Sequence, residues 1–198
     1  MQASGIILAG GLSSRMGRDK TMMSHNKETM IGHMIKEMRK VAAQIIIASN
    51  HTAKYRIPDT LEVPDIYSGM GPMAGMHAGL LAAQNSHAFI VAADMPLFKA
   101  ELAQYLLDRS AGYDVVVPMI KNRWEPLCAV YSRNCIKPIA DCLQADIRKI
   151  SRFYPQVKVL EISENELSRL GMAKDLFYNL NTPEDYQTFC KQRRREAD

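Results

Sequence analysis

A loop rich in glycine directly follows the first apolar run of the chain and carries two cations. Residues 5–20 read GIILAGGLSSRMGRDK, which places Arg15 and Lys20 among or just after the glycines. Glycines at the end of a strand let backbone N–H groups approach a ligand closely, and the two cations can bind phosphate oxygens. The spacing fits neither a Walker A motif nor GxGxxG. We therefore expect a polyphosphate site of another type, in preference to a solvated turn with unrelated cations.

Two aspartates stand at the ends of other apolar runs. Asp94 follows residues 88–93 and precedes a Met-Pro pair, and Asp65 follows the shorter run 61–63. A carboxylate at a strand tip is a suitable hard ligand for a Mg²⁺ ion bound to phosphates. Each aspartate alone is equally typical of a turn or a helix cap. In an open parallel sheet, however, ligands bind where the carboxyl ends of strands meet, so the three strand ends together favour one site.

Short apolar runs alternate with longer helical patterns along the chain. Most of the runs are continuous rather than alternating, which is typical of strands covered on both faces. This order predicts an α/β fold, with a Rossmann-like, mostly parallel sheet and helices on both faces. The predicted strands cover residues 4–9, 44–49, 61–63, 87–93, 114–119, 127–132 and 157–162, and the predicted helices cover residues 29–41, 72–84, 99–109, 134–145, 164–170 and 183–193.

The composition is that of one ordinary globular domain. The chain has 198 residues, of which 47% are hydrophobic and 23% charged, and no repeat or linker interrupts it. We expect a single domain over residues 1–190, followed by a basic tail over residues 191–198 with the composition of a disordered end. The 13 methionines are interpreted as core residues, because Met commonly fills irregular gaps.

Charge, hydropathy and cysteine usage argue against several classes of protein. The 25 Lys and Arg exceed the 21 Asp and Glu by 4, which is less basic than a non-specific nucleic-acid binder. Residues 88–93 form the longest apolar run, and a membrane span needs roughly 20 residues. The start of the chain lacks the pattern of a secretory signal. The cysteines form no CxxC pair, so we expect free thiols, a cytoplasmic protein, and no nucleic acid or membrane as partner.

Four motifs, in order, resemble those of one enzyme family. Residues 8–20, with LAGG, RMG and DK, are similar to the signature loop of nucleotidylyltransferases, and the best resemblance is to the molybdenum cofactor guanylyltransferase family. Residues 71–76 (GPMAGM), 93–96 (ADMP) and 179–184 (NLNTPE) resemble that family's second glycine element, its metal-binding aspartate motif and its C-terminal Asn-x-Asn-Thr-Pro-Glu. The motifs span nearly the whole chain, and the resemblance implies a fold like that of nucleotide-diphospho-sugar transferases.

The resemblance implies, position by position, how the nucleotide is bound. Backbone groups of Leu8, Ala9 and Gly10 would line the guanine. Gly11 would face the phosphates, and Asp65 would lie at the base and ribose end of the nucleotide. These five residues form the nucleotide half of the expected site.

The resemblance also assigns the residues that act on the phosphates and on the second substrate. Arg15 and Lys20 would bind the phosphates, and Asp94 would hold Mg²⁺, so these three are the expected catalytic residues. Asn179 and Asn181 would lie near the second substrate, which the resemblance identifies as molybdopterin.

The sequence allows two interpretations of Asn50 and two of a group of residues around Trp124. The family often has an Asn directly after its second strand, and here Asn50 comes slightly later, so it either substitutes or that guanine contact is missing. Lys121, Arg123 and Trp124 follow another predicted strand. This group either flanks a pterin and its phosphate or forms an exposed hairpin with an amphipathic Trp.

The motifs together imply guanylyl transfer. GTP and a molybdopterin-type cofactor would give molybdopterin guanine dinucleotide and pyrophosphate, with the terminal phosphate of the pterin attacking the α-phosphorus in line. Because the acceptor is already anionic, alignment and charge neutralisation suffice for catalysis. The rival functions are a cytidylyltransferase for the same pterin, a sugar-phosphate nucleotidylyltransferase, and a nucleotide-binding adaptor that delivers cofactor to a molybdoenzyme or to another cofactor-biosynthesis protein.

Overall fold

In the part of the chain that the structure describes, ten strands are interspersed with five α-helices. The structure is a computed structural model, and it describes residues 2–10, 24–25, 28–50, 54–172 and 174–178. The strands are β1 (Ser4–Leu8), β2 (Ser24–His25), β3 (Glu28–Thr29), β4 (Gln44–Ala48), β5 (Thr60–Val63), β6 (His87–Ala92), β7 (Val115–Ile120), β8 (Arg123–Trp124), β9 (Cys128–Ser132) and β10 (Val159–Ser163). The helices are α1 (Met30–Met38), α2 (Pro72–Ala82), α3 (Ala100–Asp108), α4 (Ile136–Gln144) and α5 (Glu164–Arg169).

One mixed sheet forms the centre of the fold. Its strand order is β10-β7-β9-β6-β1-β4-β5, with β8 on the side of β7. The pairs β1–β4, β1–β6, β4–β5 and β7–β10 are parallel, as the sequence predicts. Strand β9 runs antiparallel to both β6 and β7. The predicted α/β fold is therefore confirmed, and the two antiparallel strands β8 and β9 make the sheet mixed.

Helices cover both faces of this sheet, which explains the continuous apolar runs. One core cluster packs residues of α1, α3 and α5 against one face, and the other packs residues of α2 and α4 against the opposite face. All five residues of β1 are buried. A strand covered on both sides has no solvent-facing position, so its sequence cannot alternate.

Helix α1 shows how the methionines are used. The side chain of Thr29 caps its first turn by accepting a hydrogen bond from the N–H of Gly32 at 3.2 Å. Met30, Met34 and Met38 then lie on the buried face of this helix. Their interpretation as core residues is confirmed.

Helix α2 lies unusually close to the sheet, because glycines occupy the positions of closest approach. A Cβ atom on Gly79 would stand 2.6 Å from Cγ2 of the buried Ile6. A Cβ atom on Gly75, one turn earlier, would stand 3.2 Å from Cδ2 of Leu8 and 3.5 Å from Cβ of Ala48. The backbone of α2 therefore rests directly on β1 and β4.

Replacing Gly79 by alanine tests this contact. Alanine ordinarily favours a helix over glycine by up to about 1 kcal/mol, but overpacking a buried site costs about 1–3 kcal/mol. We expect a net loss in the free energy of unfolding, measured by urea denaturation. Leu81→Ala, on the exposed side of the same helix, is the control and should change stability by less. A Gly79→Ala variant as stable as the wild type would show that the sheet yields at this point.

Candidate active site at the front edge of the sheet

The parallel strands bring the chemistry-bearing residues to one edge. Strands β1, β4, β5 and β6 all point the same way, and we call the edge where they end the front edge. Gly10, Asn50, Asp65 and Asp94 each follow one of these strands by two residues. Strand β1, which leads into the glycine loop, lies between β6, which leads to Asp94, and β4, which leads to Asn50. This edge is the expected ligand-binding position of such a sheet.

Gly10 is the first exposed residue after β1. The N–H of Ala9 donates to the carbonyl of Ala48 at 2.8 Å, and the carbonyl of Leu8 accepts from the N–H of Ala93 at 3.0 Å. These backbone groups of Leu8 and Ala9 are thus used by the sheet, and both residues are buried. Of the three residues expected to line the guanine, Gly10 is the one open to solvent.

Asn50 lies close to both Gly10 and Asp65. A Cβ atom on Gly10 would stand 3.8 Å from Nδ2 of Asn50. The side-chain oxygen of Asn50 accepts a hydrogen bond from the N–H of Asp65 at 3.3 Å. The sequence alone does not assign Asn50 to the site, because an Asn after a strand is common in any turn. The structure places it in the candidate site.

The carboxyl group of Asp65 lies in a partly desolvated position. Its Oδ1 would be 3.4 Å from a Cβ atom on Gly75, so the bare backbone of α2 makes room for it. Burial raises the pKa of Asp65, and a side-chain hydrogen bond with Asn50 opposes this rise. A desolvated carboxylate with one amide partner is well suited to accept hydrogen bonds from a ligand.

Residues 64–71, which we call the base loop, are tied to both helices of one sheet face. The ring of Tyr67 meets the ring of His77 edge-on, with centroids 5.2 Å apart. Gln144 of α4 donates to the hydroxyl of Tyr67 at 3.3 Å. Arg148 donates to the carbonyl of Gly69 at 3.5 Å. These contacts hold the loop that carries Asp65.

His77 is the buried titratable group behind this loop. It is 5% exposed, and within the described part of the chain its Nδ1 has no hydrogen-bond partner. Burial lowers the pKa of His77. The folded protein therefore keeps this imidazole neutral at a pH where an unfolded chain would protonate it.

The stability of the protein should consequently fall in mild acid, and His77 should account for part of that fall. Between the ordinary His pKa near 6.5 and the lowered pKa in the fold, the unfolded state binds more protons. Stability then decreases as the pH drops, by at most about 1.4 kcal/mol per pH unit for one group. Urea denaturation at several pH values from 7.5 to 5 should show a shallower decrease for His77→Gln. The assignment is wrong if the two pH profiles are parallel.

Asp94 stands at the other side of the glycine loop. It follows β6 in a turn in which the N–H of Met95 donates to the carbonyl of Ala92 at 3.3 Å. Asp94 is half-buried, and its Oδ1 is shielded from solvent. Within the described ranges, no group of three or more His, Cys, Asp and Glu side chains could hold a metal ion. Asp94 thus supplies one carboxylate ligand for a cation, and the described residues around it do not supply a complete set of metal ligands.

The edge continues beyond Asp94 over β9, β7 and β10, and exposed cations flank this part. Lys121 and Arg123 are exposed on the β7–β8 hairpin. Trp124 is 38% exposed, donates from Nε1 to Oε1 of Glu161 at 2.9 Å, and lies 5.1 Å from the ring of Tyr154. The indole is therefore fixed in place with part of its surface open, which is compatible with both interpretations of this hairpin.

A second group of cations reaches the front edge after α4. Arg148, Lys149 and Arg152 are exposed, and Arg148 contacts the base loop as described. Arg148 also pairs with Asp146, at 3.1 Å. The two groups bring five cations to this region, and acidic side chains such as Asp146 and Glu161 lie among them.

Some of the expected site residues lie outside the described ranges. They are Gly11, Arg15, Lys20, Asn179 and Asn181, and the same holds for the basic tail over residues 191–198. Cys128, Cys135 and Cys142 are described and are free, buried thiols. None of the described helices is long and apolar enough to cross a membrane.

A cavity of about 440 Å³ opens at the opposite edge of the sheet. Its polar centre is Asp114, which accepts hydrogen bonds from Ser132 Oγ at 2.9 Å, Asn134 Nδ2 at 2.8 Å and the N–H of Lys158 at 3.0 Å. Burial opposes ionisation, yet these donors lower the pKa of Asp114 overall. A carboxylate satisfied in this way joins β7, β9 and β10, and we regard it as structural.

Solved structures share this architecture. Molybdopterin-guanine dinucleotide biosynthesis protein A from Archaeoglobus fulgidus superposes with a TM-score of 0.83 at 23% identity, over 97% of this chain and 99% of that one. The 2-C-methyl-D-erythritol 4-phosphate cytidylyltransferase from Thermus thermophilus gives 0.73 at 14% identity, over 98% and 100%. At such identities the likeness shows the fold, which is that of nucleotide-diphospho-sugar transferases.

Sequence comparison defines the family. Residues 5–159 match the MobA-like NTP transferase domain, so fold and front edge together make the chain a nucleotidyltransferase. It is 40% identical over 185 residues to a probable molybdenum cofactor guanylyltransferase of Pelotomaculum thermopropionicum, covering 93% of this chain and 90% of that protein. A molybdenum cofactor guanylyltransferase of Desulfosudis oleivorans is 34% identical over 186 residues, covering 93% and 92%. The chain belongs to the molybdenum cofactor guanylyltransferase family.

Proposed function

We propose that this enzyme transfers GMP from GTP to the terminal phosphate of molybdopterin, giving molybdopterin guanine dinucleotide and pyrophosphate. The observation that carries the proposal is the grouping of Gly10, Asn50 and Asp65 on one side of Asp94, with exposed cations on the other side. One half of the edge then suits a base and the other suits an anionic acceptor. The names of the relatives support the same pair of substrates.

Asp65 and Asn50 account for a preference for guanine. The Watson–Crick edge of guanine presents two adjacent donors, the ring N1–H and the exocyclic amino group, and a carboxylate accepts both. Cytosine presents one amino donor beside acceptors, so it would leave the half-desolvated carboxyl group of Asp65 unsatisfied. A site built on such hydrogen bonds discriminates strongly against a base that cannot form them. Gly10 leaves the backbone accessible beside this pair.

The cations beyond Asp94 account for the acceptor. Lys121 and Arg123 are exposed on the β7–β8 hairpin at this side, and a phosphorylated pterin is anionic. Clustered positive charge raises the local concentration of such a ligand and helps to orient its phosphate. The open part of the Trp124 indole offers an apolar surface beside these charges.

The reaction needs no nucleophile from the protein. A phosphate oxygen of the acceptor forms a bond to the α-phosphorus, and the bond between the α-phosphorus and its bridging oxygen breaks as pyrophosphate leaves. We assign Arg15 and Lys20 to the phosphates, where they offset charge in the transition state. Asp94 fits Mg²⁺, because such ions commonly use one or two carboxylates together with substrate phosphates. When bound there, Mg²⁺ supplies further charge neutralisation.

The rival functions differ in their substrates rather than in the fold. A cytidylyltransferase and a sugar-phosphate nucleotidylyltransferase would keep the front edge but change the base or the acceptor. A cofactor-delivery adaptor would bind nucleotide without turnover. Delivery to a molybdoenzyme, a position for Asn179 and Asn181 near the pterin, and a cytoplasmic location stay predictions from the sequence.

Pyrophosphate release with each of the four NTPs, with and without molybdopterin, tests the function. We expect release that requires molybdopterin and favours GTP over CTP by on the order of 10³-fold. Asp65→Asn should lose much of this preference, because an amide cannot accept both guanine donors. Equal turnover of GTP and CTP would contradict the guanylyl assignment. Nucleotide binding without turnover would favour the adaptor.

Asp94→Ala tests the metal assignment. Loss of the only proposed protein ligand should lower the kcat by at least about 10²-fold, while the melting temperature changes little. Asp108→Ala, an exposed carboxylate at the end of α3, is the control and should keep the wild-type rate. A wild-type kcat for Asp94→Ala at saturating Mg²⁺ would make Asp94 a turn residue.

A further inference from the structure

We propose that Glu125 binds the donor-bearing edge of the pterin ring of the acceptor and so determines the specificity for the second substrate. The inference rests on the proposed function. It arises from one juxtaposition: a rigidly held, half-buried carboxylate with no partner among the described residues stands on the acceptor side of Asp94.

The backbone of Glu125 is fixed at the junction of β8 and β9. Its N–H donates to the carbonyl of Pro118 at 2.9 Å, and its carbonyl accepts from the N–H of Cys128 at 3.0 Å. The next residue is Pro126, whose carbonyl accepts a hydrogen bond from the hydroxyl of Tyr131 at 2.7 Å. Glu125 is therefore held by β7, by β9 and by a proline, which is the preorganisation that a binding residue requires.

The sheet register puts Glu125 beside the reacting part of the front edge. Strand β9 is the neighbour of β6 and runs antiparallel to it, with Val91 opposite Cys128. The N–H of Ala92 donates to the carbonyl of Leu127 at 2.9 Å. Asp94 follows this contact by two residues, and Glu125 precedes it by two. Both carboxylates thus emerge at the same edge, and Glu125 emerges on the side away from the nucleotide.

The side chain of Glu125 is unpaired among the residues that the structure describes. It forms no hydrogen bond or ion pair with any part of the chain that the structure describes, and it is half-buried. Burial raises the pKa of Glu125, and the carboxyl group in turn contributes to the raised pKa of the buried Cys128 thiol. A desolvated carboxylate without donors costs stability.

Two other carboxylates that are buried or partly buried, Glu62 and Glu37, receive hydrogen bonds from the chain itself. Glu62 accepts hydrogen bonds from three consecutive N–H groups, those of residues 54–56, at 3.0, 3.1 and 2.7 Å. Glu37 accepts from the N–H of Ala100 at 3.0 Å and pairs with Lys40. Because no described residue donates to Glu125, its carboxylate oxygens are available to a ligand with N–H donors.

The chemistry of the site selects N–H donors rather than a phosphate or a metal. A phosphate would be repelled by the carboxylate, and within the described ranges Glu125 belongs to no group of potential ligands large enough for a metal. The pterin ring of the proposed acceptor presents a ring N–H and an exocyclic amino group side by side. Two carboxylate oxygens can accept both hydrogen bonds at once, as they do from a guanidinium group.

Binding of molybdopterin and competition by two ring analogues test the inference. Pterin has the amino group, whereas lumazine carries an oxo group in its place. We expect Glu125→Gln to raise the Kd for molybdopterin, measured by calorimetry in the absence of GTP so that no turnover occurs, by about 10- to 100-fold, as the loss of one or two hydrogen bonds to a charged group would. Pterin should inhibit the wild type better than lumazine does, and Glu125→Gln should lose that preference. The KM for GTP should stay within about 2-fold of the wild-type value.

Two controls separate this role from a structural one. Glu101→Gln, an exposed carboxylate of α3, should leave every measured value unchanged. Glu125→Gln should melt at the same temperature as the wild type or higher, because it removes an unsatisfied charge. Wild-type affinity for molybdopterin together with a retained preference for pterin in Glu125→Gln overturns the inference and leaves the proposed function intact. If the wild-type protein neither binds nor turns over molybdopterin, both fail.

Discussion

The candidate site depends on the direct contact between the backbone of α2 and the strands beneath it. A Cβ atom on Gly79 would clash with Ile6, and a Cβ atom on Gly75 would fit only tightly against Leu8. Because the helix lies so close, its first turn comes down to the front edge and leaves space for the carboxyl group of Asp65. Side chains at these two positions would lift the helix and the base loop together, which explains the spacing of glycines in residues 71–79.

The order of the strands then divides the front edge into two halves. After β1 the chain passes through α1 to β4, which lies on one side of the β1–β6 pair. After β6 it passes through α3 to β7, which lies on the opposite side of that pair. Ligands of open α/β sheets bind at such a point, where neighbouring strands lead in opposite directions. The glycine loop after β1 and Asp94 after β6 flank this point. A nucleotide on one side and an acceptor on the other would therefore meet with the α-phosphate near Asp94.

The sequence predicts the elements whose pattern depends on burial. It does not predict the direction of a strand in the sheet or the contacts between residues that are far apart in the chain. Continuous apolar runs identify the strands, but they read the same in both directions, so the reversal of β9 leaves no trace in them. A strand of two residues such as β8 is too short for any periodicity. Asn50 looks like an ordinary turn residue until Asp65, which is 15 positions away, folds against it. His77 is one polar residue in an apolar helix, and its burial depends on Tyr67 in another element.

The carboxylates of the described chain divide according to whether the fold itself supplies their donors. At Asp114 and Glu37 burial disfavours the charge, but backbone and side-chain partners outweigh it and lower both pKa values. At Asp65 and Glu125 burial dominates and raises both pKa values. The first pair joins elements of the structure, whereas the second pair follows strands at the front edge, one on each side of Asp94. Among the described residues, Asp65 has one amide partner and Glu125 has none. Incompletely satisfied carboxylates of this kind cost some stability and are typical of binding sites, which is why we propose ligand contacts for both.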